Sequence, residues 1–88
     1  MRSEDRIFYA RAVWATFRSK AGTLREMSNA EFVLIGRWMD RSLPLPTVLQ
    51  AIEDFAGVPR RLEAVEAQVE RENKRVRAAL GLDAEAPL

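Results

Sequence analysis

Met27-Ser28-Asn29-Ala30-Glu31-Phe32-Val33-Leu34-Ile35-Gly36-Arg37-Trp38 carries the clearest helix signal in the chain. Ser28 can cap a helix with its hydroxyl, and Glu31, at the third helical position, can accept a hydrogen bond from the Ser28 N–H in return. Such a reciprocal pair ahead of an apolar run is a capping box. Met27 before the cap and Phe32 four residues after it can close a hydrophobic staple. Ile35 and Trp38 extend the apolar stripe to about Arg41, where Leu43-Pro44-Leu45-Pro46 ends it, because residues preceding proline avoid the α region.

Beyond this helix, a third helical segment starts near Pro46, since proline suits the first helical position. Val48, Leu49, Ile52 and Phe55 form its apolar stripe, with Gly57 as its stop and Pro59 beyond. A fourth segment runs from near Pro59 to about Leu80, with Leu62, Val65, Val69 and Val76 at helical spacing, Glu72 interrupting them and Gly81 ending the helix. Toward the N-terminus, Ser3 can cap a segment reaching about Ala21. Glu4 and Asp5 there suit the positive end of the helix dipole, and Gly22 is a left-handed stop. Ile7, Ala10, Trp14 and Phe17 recur along this segment with Val13 beside them. No strand period and no internal repeat is present. The expected fold is therefore all-α: a compact bundle of four helices with an αα-hairpin, helix-turn-helix-like centre and a long charged C-terminal helix. It forms one domain over residues 1–81, followed by a disordered tail over 82–88. The expected core is Ile7, Trp14, Phe17, Phe32, Ile35, Trp38, Leu45, Val48, Leu49, Ile52, Phe55, Leu62, Val65 and Val69.

The chain has 88 residues, no cysteine and no histidine. Ordinary zinc sites need those two residue types, and so do Ser–His and Cys–His nucleophile pairs, so all of these are excluded. The four glycines are scattered and form no phosphate-binding loop. The sequence thus points to a non-enzyme with no catalytic residue, cofactor, metal or small-molecule substrate. No run approaches the roughly 20 apolar residues of a membrane span, and acids stand where a secretory signal would carry basic residues. A cytoplasmic protein is expected. Arginine supplies twelve of the fourteen basic residues, which fits a GC-rich bacterial genome.

Two surfaces suggest a partner. Phe8, Ala12 and Ala15 form a second stripe on the first helix, which either neighbouring helices or another chain must cover. On the fourth helix the apolar spacing continues through Val69 and Val76 to Leu80, past the reach of three short partners. These six residues form the expected protein interface, with a homodimer or another protein across it. The charge is also uneven. Residues 1–25 carry six basic and two acidic side chains, against two basic and five acidic over residues 26–57. Arg6, Arg11, Arg18 and Lys20 are the candidate phosphate contacts, and Arg11, Arg18 and Arg25 recur every seven residues. On the third helix, Thr47, Gln50, Glu53 and Asp54 are expected outside, and two of these repel phosphate. On the fourth, Glu70–Lys74 and Glu72–Arg75 are spaced as intrahelical ion pairs.

Gly22, Leu24, Ser28-Asn29-Ala30-Glu31, Leu34-Ile35, Trp38, Leu45, Val48-Leu49 and Ala51-Ile52 together resemble the DnaD-like replication domain and small bacterial proteins of that layout. The resemblance covers residues 22–55 and implies a helical domain associated with DNA binding and primosome assembly. That family's DNA-contacting stretch carries a Tyr, an Ile and a Trp after its third helix, whereas Arg61-Leu62-Glu63-Ala64-Val65-Glu66 stands here. The expected function is a helical assembly or adaptor module acting by protein association. The alternative is a nucleic-acid-associated protein of DnaD-like layout that uses the arginine face of the first helix.

Overall fold

Capping, proline and glycine signals set most of the helix boundaries. The computed structural model describes residues 3–81. Four α-helices follow one another: α1 (Ser3–Ala21), α2 (Asn29–Asp40), α3 (Leu45–Asp54) and α4 (Glu66–Ala79), with a short 3-10 helix, Leu62–Val65, leading into α4. Among the described residues there is no strand. The tail expected over 82–88 lies outside the described residues.

Gly22 stops α1 in the left-handed region, with φ of 67°, and its N–H donates to the Arg18 carbonyl at 2.8 Å. Both hydrogen bonds of the capping box at α2 are present, with Ser28 as cap and Glu31 reaching back. At the other end of α2, the Leu43 N–H donates to the Trp38 carbonyl and the Ser42 N–H to that of Met39. This pair of bonds is a Schellman closure, which needs a left-handed residue. Ser42 holds that conformation, with φ of 58°. α3 ends sooner than its apolar stripe suggests. Phe55 is extended, and Gly57 belongs to the turn beyond it rather than to the helix end.

The fourth helix departs most from expectation. It does not begin near Pro59. Residues 55–61 are irregular, Pro59 is buried, and regular α-helix starts only at Glu66. The cause is a polar hub. The Glu31 carboxylate, fully buried, accepts from both terminal nitrogens of Arg25 at 2.8 and 2.7 Å, from the Ser28 N–H at 2.9 Å and from the Leu62 N–H at 2.8 Å. Arg25 also donates to the Arg60 carbonyl at 2.9 Å and lies over the rings of Trp14 and Phe17, which stack on each other. Arg61 is extended, and the bonds that Arg60 and Leu62 make to Arg25 and Glu31 pin the chain on either side of it, so only a short 3-10 helix precedes the regular helix that starts at Glu66. Arg25 sits in this loop beyond α1, so it does not continue the Arg11–Arg18 face.

The core is one cluster. α1 contributes Tyr9, Val13 and Phe17, four residues apart, together with Trp14. α2 contributes Leu34, Ile35, Trp38 and Met39, and α3 contributes Val48, Ala51 and Ile52. Leu43, Leu62, Val65 and Val69 complete it, with Leu45, Leu49 and Phe55 partly buried at its edge. Ile7 and Phe32, both expected inside, are 54% and 60% exposed. α1 turns its 9–13–17 row inward to meet α3, which rotates Ile7 toward the edge. α2 buries Glu31, Leu34, Ile35 and Trp38, which leaves Phe32 on its flank. α1 and α4 both pack on α3, and α2 packs on α1 and the 3-10 helix. The shortest dimension is 18 Å. At roughly 8–10 Å between packed helices, that is two layers. α1 is therefore not covered on both faces: Phe8 is 66% exposed and Ala15 also faces solvent.

Other pairings are also settled by tertiary contact. Glu70, spaced for Lys74, pairs instead with Arg41 and ties the end of α2 to α4. Glu72 pairs with Arg75 at 2.5 Å, three residues on, as its spacing predicts. Thr47, expected outside, is buried, whereas Gln50, Glu53 and Asp54 form an exposed, mainly acidic face.

Candidate partner-binding groove

A groove of about 550 Å³ lies between α1 and α2. Its walls are apolar: Ile7, Ala10, Trp14 and Ala15 from α1, Phe32 and Met39 from α2, and Met27 from the loop before α2. Met27 and Phe32 both line the groove at the entry to α2, and Phe32 stays open to solvent. The rim on the α1 side is cationic, formed by Arg6, Arg11 and Arg18. Arg6 reaches Asp40 at 3.3 Å, joining the start of α1 to the end of α2. The Arg11 and Arg18 side chains are exposed and make no hydrogen bond or ion pair among the described residues. Seven residues apart, they lie on one side of α1 about 10 Å from each other along its axis.

Of the four candidate phosphate contacts, only Arg11 and Arg18 are unengaged. Arg6 is paired as above, and the Lys20 Nζ donates to the Glu53 carbonyl at 2.9 Å. The six expected interface residues do not form one surface. Val69 is fully buried in the core and is not available to a partner. Packing α4 against α3 and the 3-10 helix turned that position inward. Val76, half-buried, and Leu80, 68% exposed, line a separate hollow of about 500 Å³ beside Leu43 and Pro44. Phe8, Ala12 and Ala15 lie on α1; among these three, only Ala15 lines the groove. The residues that sequence reasoning placed elsewhere are Ile7 and Phe32, because periodicity marks an apolar side chain without saying which neighbour covers it.

Gly36 adds a second feature to the α2 wall. It follows Phe32 by four residues and precedes Met39 by three, so helical spacing puts it on the same side of α2 as these two lining residues, although it does not itself line the groove. It lies within regular helix, and a Cβ added there would meet nothing within 4 Å.

Among the described residues no three carboxylates gather as metal ligands, and no helix is long and apolar enough to cross a membrane. The chain matches no protein-family model, and no curated protein or solved structure is detectably similar to it.

Proposed function

We propose that the protein is a non-enzymatic helical interaction module whose α1–α2 groove receives an apolar face of another protein. The observation that carries this reading is the pairing of Ile7 and Phe32, each more than half exposed, on opposite walls of one groove. Single exposed apolar residues are ordinary, but contiguous apolar surface rimmed by charge marks interaction sites. A photo-crosslinking residue at position 32, compared with one at Gln50 on the outer face of α3, tests it in cells. Protein adducts are expected from position 32 and not from position 50. Equal yields at the two positions, or none, would refute the groove as an interface. Light scattering on the pure chain shows whether the adduct can be a second copy.

Arg11 and Arg18 favour a second reading, a nucleic-acid-associated protein of DnaD-like layout. Two unpaired guanidinium groups on one side of α1 can contact phosphates, with affinity that falls steeply with salt. Replacing both with Ala would weaken binding alike for all sequences, since phosphate contacts carry no base information. The acidic outer face of α3 argues against that helix reading bases. A mobility shift insensitive to both substitutions removes this reading.

A further inference from the structure

Resting on the groove reading above, we propose that the occupant is an amphipathic α-helix of a different protein, with acidic residues seven apart along one edge of its apolar face, and that it comes closest to α2 at Gly36. Three observations on the groove converge.

The first is charge. Arg11 and Arg18 stand two turns apart on the α1 rim, and their side chains have no ion-pair partner among the described residues. A helix lying along α1 repeats its own positions at the same two-turn interval, so carboxylates at i and i+7 would meet both guanidinium groups. The second is shape and length. The α1 residues lining the groove run from Arg6 to Arg18, which spans about 18 Å at 1.5 Å per residue. That is the length of about three helical turns, enough for apolar side chains at i, i+3 or i+4, and i+7 to reach between Ile7 and Phe32.

The third is Gly36. Glycine inside a helix is unfavourable relative to alanine, and nothing in this chain's own packing occupies the space a side chain would take. Intramolecular packing therefore gives no reason for glycine there. Close approach of another backbone is one of the physical uses of glycine, and Gly36 lies between the lining residues Phe32 and Met39 on the same side of α2.

A second copy of this chain does not fit the same description. A two-fold contact through the groove would set Arg11 and Arg18 against their own counterparts. Among the described residues no helix joins bulky exposed apolar side chains to acids seven apart. The outer face of α3 is acidic but has no large apolar residue, and Glu63 and Glu70 are flanked on the outside by alanines.

The test is selection from a phage-displayed library of helical 16-residue peptides with a fixed apolar stripe and random flanking positions, using the full chain as bait. The expected result is enrichment of Asp or Glu at two positions seven apart. The best peptide is then synthesised and measured by fluorescence anisotropy. Exchanging its two acids for Lys should weaken binding by more than about tenfold. Arg11→Glu with Arg18→Glu should reverse that preference, which non-specific apolar adhesion cannot do. Gly36→Leu should weaken binding while leaving the melting temperature unchanged or raised, so lost binding cannot be attributed to misfolding. Enriched peptides that are neutral or basic, or no enrichment, would overturn the acidic-helix assignment. The crosslinking result at position 32 would still stand or fall separately. Unchanged binding by Gly36→Leu would overturn the close approach at α2. Self-association that competes with the peptide and is lost in Ile7→Glu would make the occupant a second copy and overturn the proposal.

Discussion

Replacing Glu31 with Gln should cost the domain about 3 kcal/mol near neutral pH, and the cost should fade in acid. The side chain keeps its size and one carbonyl oxygen, but the amide nitrogen must face a donor, either Arg25 or a backbone N–H. In the native domain the two carboxylate oxygens accept four hydrogen bonds at 2.7 to 2.9 Å in a fully buried position. The Arg25 guanidinium, helped by the Ser28 and Leu62 N–H groups, holds the Glu31 pKa well below its ordinary 4.5, at about 2, against the opposing effect of burial. A depression of that size is worth about 3 kcal/mol at neutral pH. Because the folded pKa is the lower one, this stability is fully present above about pH 4.5 and is lost as pH falls toward 2. The assay is urea denaturation followed by the fluorescence of Trp14 and Trp38, both in the core. At about 1–1.5 kcal/mol per molar for a chain of this size, the midpoint should fall by about 2–3 M at pH 7. The gap between native and variant proteins should shrink to a small fraction near pH 2, where Glu31 is itself becoming neutral. A loss below about 1 kcal/mol at pH 7, or a gap independent of pH between 4.5 and 2, would refute the hub as the tie between the two loops.

Tyr9, the one tyrosine of the chain, is buried and its hydroxyl donates to the Leu43 carbonyl at 2.9 Å; burial pushes its pKa up to about 12. The tyrosinate absorbance should therefore rise near pH 12, and Tyr9 should contribute stability that is lost as pH climbs from 10 to 12; titration at the ordinary 10 would show the ring to be solvent-exposed. Ser42→Gly should stabilise the domain by about 0.5–1 kcal/mol, because Ser42 occupies the left-handed position of a Schellman closure; an unchanged or lower melting temperature would mean the serine is not strained. Ser28→Ala should cost about 1 kcal/mol by removing the acceptor for the Glu31 N–H, and an unchanged melting curve would place the start of α2 elsewhere.

The amino-acid sequence alone determined the features that depend on neighbours a few residues away. The all-α character, the bounds of α1, the Ser28–Glu31 cap, the Gly22 stop and the Glu72–Arg75 pair are all local. Each rests on backbone geometry or on side chains within one helical turn, so a linear pattern can specify it. Tertiary structure settled what depends on contacts beyond one helical turn, from Arg25–Glu31, six residues apart, to Leu62–Glu31, thirty-one apart. Local pattern could not show that Glu31, besides capping its own helix, would bind Arg25 and Leu62 and so delay α4 until Glu66. Nor could it show that Arg41 would take Glu70 from Lys74, or that α1 would roll Tyr9 inward and leave Ile7 on a groove wall. The physical reason is rotation about the helix axis. A helix with apolar residues on several sides has more than one way to bury a stripe, and the choice belongs to the helices it meets. On α1 the Tyr9–Val13–Phe17 row met α3, so Ile7 and Phe32 became the groove's surface rather than the core.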